Sequence, residues 1–351
     1  MKNIFIGIDL AIAKNKTLPI CFCRWEQGRL LPFPVQALLH RPPRGRGNLA
    51  VLDDQRVQEF VEEAAQYISA VASELGVRVE RIGIDAPRAA REDQSRRRLS
   101  EIAMDKAGIS CFTTPSTNEF NMIFEKVRQH IAEGGAESHL PHANQLWMYV
   151  GFRLFERLSE IAPCIEVFPQ AAARAMGAGA IHKSKKGAVE KQLNEAAQYT
   201  GWPCNEGAEV SLSEIGFGNS HDRLDAYLSA WVAALPESKR VAMGSPPHDV
   251  IWVPKIEGRK FERANALLSP ASNTTETKRI RRRFSSNERL GPSDASYELS
   301  CPGCNQHVFK RWPFGWDAHA AHKCGGLKSV GKSERKAEYR EKYAHLFPGK
   351  K

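Results

Sequence analysis

Five carboxylates stand in apolar or helical settings where an acidic group has to be explained. Asp9 ends the run Phe5-Ile6-Gly7-Ile8-Asp9-Leu10-Ala11, and Asp85 ends nearly the same phrase, Arg81-Ile82-Gly83-Ile84-Asp85-Ala86-Pro87. Glu166 interrupts a third apolar run, Cys164-Ile165-Glu166-Val167-Phe168-Pro169, where a carboxylate is costly to bury without a partner. Asp222 and Asp225 sit three residues apart near the start of His221 to Leu235, so on a helix they share one face. Two adjacent carboxylates repel unless a cation lies between them. If the two Asp runs are neighbouring strands, Asp9 and Asp85 therefore point to a hard divalent ion, Mg²⁺ or Mn²⁺. Asp222 also suits a simpler task, capping a helix N-terminus.

The second constellation is Cys301-Pro302-Gly303-Cys304, followed by His319 and Cys324. This spacing fits a structural zinc site, with all four positions filled by protein ligands. Phe309 and Trp316 supply the large apolar residues that a ββα-type zinc finger needs, and a segment this short depends on its metal to fold. His322 and His307 are the substitute ligands. A redox pair, or no metal, are the other readings. Cys21, Cys23, Cys111, Cys164 and Cys204 are scattered in apolar surroundings, which describes a reduced protein and not a disulfide framework.

Charge divides the chain. Residues 1–258 hold 30 Lys and Arg against 31 Asp and Glu, whereas residues 259–351 hold 20 against 9. The basic excess therefore belongs to the C-terminal quarter, in Lys278, Arg279, Arg281, Arg282, Arg283, Lys310, Arg311 and the tail beyond Lys328, with Trp312, Phe314 and Trp316 as stacking surfaces. That pattern suits nucleic acid better than a protein partner. Glu334, Glu338 and Glu341 turn part of the tail into a salt-bridged helix face.

The elements that must position the carboxylates follow from the pattern. Each Ile-Gly-Ile-Asp run is too short for a helix and reads as a buried parallel strand with its Asp at the carboxyl end, where open α/β sheets keep their functional crevice. Leu18 to Trp25 and Arg29 to Leu39 form a hairpin around Glu26-Gln27-Gly28. A helix begins at Asp53-Asp54 and runs to about Leu75, with Val57, Phe60, Val61, Ala64, Ile68 and Val71 on one face and Gly76 as its stop. Two more strands are expected at Ile109 to Thr113 and Cys164 to Phe168, with helices near 94–107, 119–133, 144–161, within the basic stretch 170–200, and at His221 to Leu235. No run is apolar enough to span a membrane, and the start does not read as a signal peptide, so a cytoplasmic protein is expected. The expected organisation is a body over 1–258, a basic linker over 259–295, the zinc finger over 296–327 and a basic tail over 328–351.

Taken in this order, Gly7 to Ala11, Ile84 to Pro87, Glu166 to Pro169 and Asp222 to Ala226 resemble the RNase-H-like superfamily. Over about residues 3–236 the chain most resembles the bacterial group of predicted RNase-H-like nucleases, domain-of-unknown-function family 429. The resemblance implies a mixed sheet flanked by helices, with strand one central, an antiparallel hairpin on one side and the second Asp strand on the other. It also implies a final helix that carries its carboxylate over the mouth. The activity implied is two-metal hydrolysis of phosphodiester bonds in DNA or RNA. Asp9, Asp85 and Asp225 would hold the ions, and Glu166 and Asp222 would serve the second ion or its surroundings. Glu166 has no counterpart in the best-known members of the superfamily, which carry a Glu elsewhere. Two other readings remain: a catalytically silent RNase-H-like body that binds nucleic acid, and an ATP-dependent phosphotransferase, which lacks the expected Gly-rich phosphate turns. The oligomeric state is not written in the sequence.

Overall fold

Strand β1 (Lys2–Asp9) lies at the centre of a five-stranded sheet ordered β3-β2-β1-β4-β5. In the computed structural model, residues 2–178, 187–204 and 210–257 are described, together with two short strands further on. Strands β2 (Ile20–Glu26) and β3 (Arg29–Pro32) form the antiparallel hairpin. Across β1, β4 (Val77–Asp85) runs parallel, and β5 (Cys164–Glu166) runs parallel to β4.

Strand alternation assigns the two faces. Ile4, Ile6 and Ile8 of β1 and Ile82 and Ile84 of β4 enter one core. That core is closed by α1 (Asp54–Glu74), α3 (Thr117–Ala132) and α4 (Ala143–Leu158). Helix α1 starts where its sequence dictates: the Asp53 carboxylate accepts from the backbone N–H of Gln55 at 3.1 Å and of Arg56 at 3.3 Å. It ends at Gly76, whose φ of +62° continues no helix.

The opposite face carries Phe5, Gly7 and Asp9 of β1 and Gly83 and Asp85 of β4. Helix α7 (Ser220–Ala234) lies directly on it, with α5 (Pro169–Ala175) and α6 (Ala188–Thr200) alongside. Every residue of α7 from Leu224 to Ala234 is buried, so this helix is a core element and not a one-sided surface helix. Its small residues face two glycines. A Cβ on Gly7 would stand 1.9 Å from the Ala226 carbonyl oxygen, and one on Gly83 would stand 2.4 Å from that of Ser229. The glycine of each Ile-Gly-Ile-Asp phrase thus admits the helix backbone.

One expected strand is absent and one hairpin was not expected. Ile109 to Thr113 is not a strand; its neighbours' backbone groups are satisfied by side chains instead of a ladder. Thr114 N–H donates to Glu101 at 2.7 Å, the Thr114 carbonyl accepts from Arg91 at 3.1 Å, and that of Thr113 accepts from Gln145 at 3.4 Å. The body also contains an unforeseen hairpin, β6 (Arg240–Ser245) with β7 (Asp249–Pro254), which packs Met243, Ile251 and Val253 against Met104 and Ile109 beside α2 (Leu99–Lys106).

The chain divides into two units, residues 1–269 and 270–351. In the second unit, β8 (Ser296–Ser300) and β9 (His307–Arg311) pair antiparallel, with Ser300 opposite His307. Cys301 and Cys304 fall in the connection between them. Those two cysteines, His319 and Cys324, the basic run Lys278, Arg279, Arg281, Arg282 and Arg283, and the tail all lie outside the described residues.

Candidate active site

The parallel pairing of β1 with β4 places Asp9 directly opposite Asp85 at the carboxyl ends of the two strands. Each Asp is two residues beyond a glycine that touches α7, so both carboxylates belong to the α7 face of the sheet. Both line a cavity of about 600 Å³ outside the strand ends, bounded also by Lys16, Arg98, Glu101, Phe112 and Trp147. Its size is that of a small-molecule site.

Asp225 is buried on the turn of α7 that crosses β1, and its carbonyl accepts from the Ser229 hydroxyl at 2.9 Å. It lies on the same face of the sheet as Asp9 and Asp85 but is not part of the cavity wall. Asp222 caps α7: its carboxylate accepts from the Asn219 N–H at 2.9 Å and pairs with the Lys16 ammonium at 3.0 Å. Burial raises the Asp222 carboxyl, but those two donors outweigh it and hold the group below the usual carboxylate range. The capping task anticipated for Asp222 is therefore performed, and through Lys16 it fixes a cation at the cavity wall.

Glu166 pairs with Ile84 across the β4–β5 ladder, so its parity differs from that of Asp85, yet it lines the same cavity as Asp9 and Asp85. Its two oxygens receive both terminal nitrogens of Arg98, at 2.9 and 2.7 Å, and one also receives the Arg88 N–H at 2.9 Å. Burial pushes the Glu166 carboxyl upward while Arg98 pulls it down. Arg98, which burial alone would lower, is raised by Glu166, Asp249 and Glu101. The partner that makes Glu166 tolerable in the interior is thus an arginine. Asp249 of β7 completes the knot, accepting from Arg98 Nε at 3.2 Å and from the Leu99 N–H at 2.5 Å, where it caps α2.

Lys16, Arg98, Glu101 and Asp249 were not singled out from sequence. Arg98 ends the run Arg96-Arg97-Arg98, which reads as surface charge, and Asp249 follows a Pro-Pro turn; the pairings span 68 and 151 residues. The signal the sequence did carry was that Glu166 required a partner.

Among the described residues, no three His, Cys, Asp or Glu side chains are grouped so as to hold a metal ion. The two-carboxylate arrangement of Asp9 and Asp85 nevertheless suits Mg²⁺, which is commonly held by one or two carboxylates, with waters and substrate phosphate completing its shell. Cys21, Cys23, Cys111 and Cys164 form no disulfide, and no described helix is long and apolar enough to cross a membrane.

An α/β body with paired aspartates at the mouth of a mixed sheet defines the class. Residues 7–248 match the family described as protein of unknown function (DUF429), and the chain belongs to that family. No curated protein and no solved structure matches it.

Proposed function

We propose that the body is a metal-dependent nuclease that hydrolyses phosphodiester bonds of DNA or RNA. The observation that carries this reading is the register of Asp9 against Asp85 at the carboxyl ends of adjacent parallel strands, on a cavity wall. Asp9 and Asp85 would hold Mg²⁺ or Mn²⁺, with Asp225 behind them on the same face of the sheet. A divalent ion bound there supplies charge stabilisation and an activated water for attack on phosphorus. Lys16, held by Asp222, offers positive charge to a phosphate oxygen from the same wall. Arg98 is committed to Glu166 and Asp249, so it anchors β5, α2 and β7 around the cavity and is not available to the substrate.

The C-terminal unit is proposed to be a zinc finger on a basic arm that raises affinity for nucleic acid. Its support is the hairpin β8–β9, whose connection contains the Cys301-Pro302-Gly303-Cys304 knuckle. Cleavage of labelled substrates with and without divalent ion, in parent and Asp9→Asn, tests the nuclease. The catalytically silent nucleic-acid-binding body is the second reading, favoured by the engagement of Asp222 and Glu166 in ion pairs. In that case binding is retained and neither protein cuts.

A further inference from the structure

The cavity extends well beyond the two carboxylates, and its remaining wall has a different chemistry. Trp147 of α4 packs partly on the core and also faces the cavity. Its indole N–H is already donated to the Asn144 carbonyl at 2.9 Å, so what it offers a ligand is ring surface. Phe112 lines the same cavity and is 58 % exposed, on the segment that side chains pin in place of a strand. Two aromatic rings lining one cavity offer faces on which a flat group can stack. Asn48 and Gln170 add two amides to the lining, each with donor and acceptor capacity.

Rings for stacking, amides for an edge, and a cation beside paired aspartates are the complements of a nucleobase and its phosphate. A cavity of about 600 Å³ admits a nucleotide-sized group but not a double helix. A base can enter only if it is unpaired and unstacked, at a cost of a few kcal/mol in a duplex and least in a single strand.

We propose that the cavity beside Asp9 and Asp85 takes one unpaired nucleobase against Trp147 and Phe112, making single-stranded nucleic acid the substrate class. This rests on the nuclease reading for the position of the phosphate, but it concerns binding and can be judged without cleavage.

The test is binding of the full-length protein to a labelled single strand and to the same sequence as a perfect duplex, by anisotropy without added divalent ion. The single strand is expected to bind at least tenfold tighter. Phe112→Ala and Trp147→Ala are expected to weaken single-strand binding about tenfold each, the size of one lost stacking contact, and to leave duplex binding unchanged. Trp147→Phe, which keeps a ring, should restore most of the loss and excludes a folding defect as its cause. Equal affinity for the two substrates, or variants that weaken both alike, would overturn the proposal. A single-strand preference that depends on the two rings, found alongside an absence of metal-dependent cutting, would keep the base site and defeat the nuclease reading alone.

Discussion

Arg98 is the residue on which the surroundings of the cavity depend. It is buried with Glu166, and each satisfies the other, so removing one leaves an uncompensated interior charge. Arg98→Met is expected to cost about 3–5 kcal/mol in urea unfolding. Adding Glu166→Gln should recover a large part, because the stranded charge is then gone. Asp249 predicts a pH effect. Burial raises its carboxyl, but the Ser100 hydroxyl, Arg98 and the Leu99 and Ser100 N–H groups outweigh this and hold it below the usual range. A carboxyl depressed by folding stabilises the protein above its unfolded pKa of about 3.9, and that stability is lost as pH falls through the folded value. Asp249→Asn should therefore lower the urea midpoint at pH 7, and the difference from the parent should shrink below about pH 4. At this scale the sequence was legible where a carboxylate repeated in a fixed phrase, as at Asp9 and Asp85. It was not legible at Arg98 and Asp249, whose partners are distant in the chain and carry no local pattern.

The repeated Ile-Gly-Ile-Asp phrase encodes an element-level device. Because strand side chains alternate, the glycine and the aspartate two residues later share a face. The glycine lets α7 approach, and the aspartate then stands at the strand end on the same side. Gly7→Ala should cost more than the usual 1–3 kcal/mol of an overpacked core, at about 3 kcal/mol or above, since the obstacle is helix backbone and not a movable side chain. Chemical denaturation measures it, and a cost below about 1 kcal/mol would show that α7 shifts freely on β1. The strands, the hairpin, α1 and α7 were readable because each has a strong period or a cap. Ile109 to Thr113 has the composition of a strand, but the side chains of Glu101, Arg91 and Gln145 replaced the ladder. The β6–β7 hairpin went unread because what it packs on, α2 and the bridge from Trp252 to Val167 beside β5, is distant in the chain and leaves no local pattern.

At the scale of the whole molecule, a body of nearly balanced charge is joined to a basic C-terminal quarter. The two units predict separable contributions. Deleting residues 259–351 should leave the thermal unfolding of the body unchanged, while reducing affinity for nucleic acid and flattening its dependence on salt, since fewer phosphates are neutralised. An unchanged salt slope would remove the C-terminal unit from the nucleic-acid interface. Zinc per chain, measured on protein purified without chelator, should be one in the full chain and none after the deletion. The division of charge was legible in composition alone, and the family assignment over residues 7–248 agrees with the four motifs that suggested it. The measurement that decides the account is cleavage of end-labelled single-stranded DNA, duplex DNA, RNA, RNA–DNA hybrid and four-way junction in Mn²⁺, Mg²⁺ or no added divalent ion, with Asp9→Asn beside the parent. The account predicts metal-dependent cutting by the parent, strongest on single strands, and none by Asp9→Asn at unchanged affinity. Cutting by Asp9→Asn at the parent's rate, or binding without cutting by both, would contradict it.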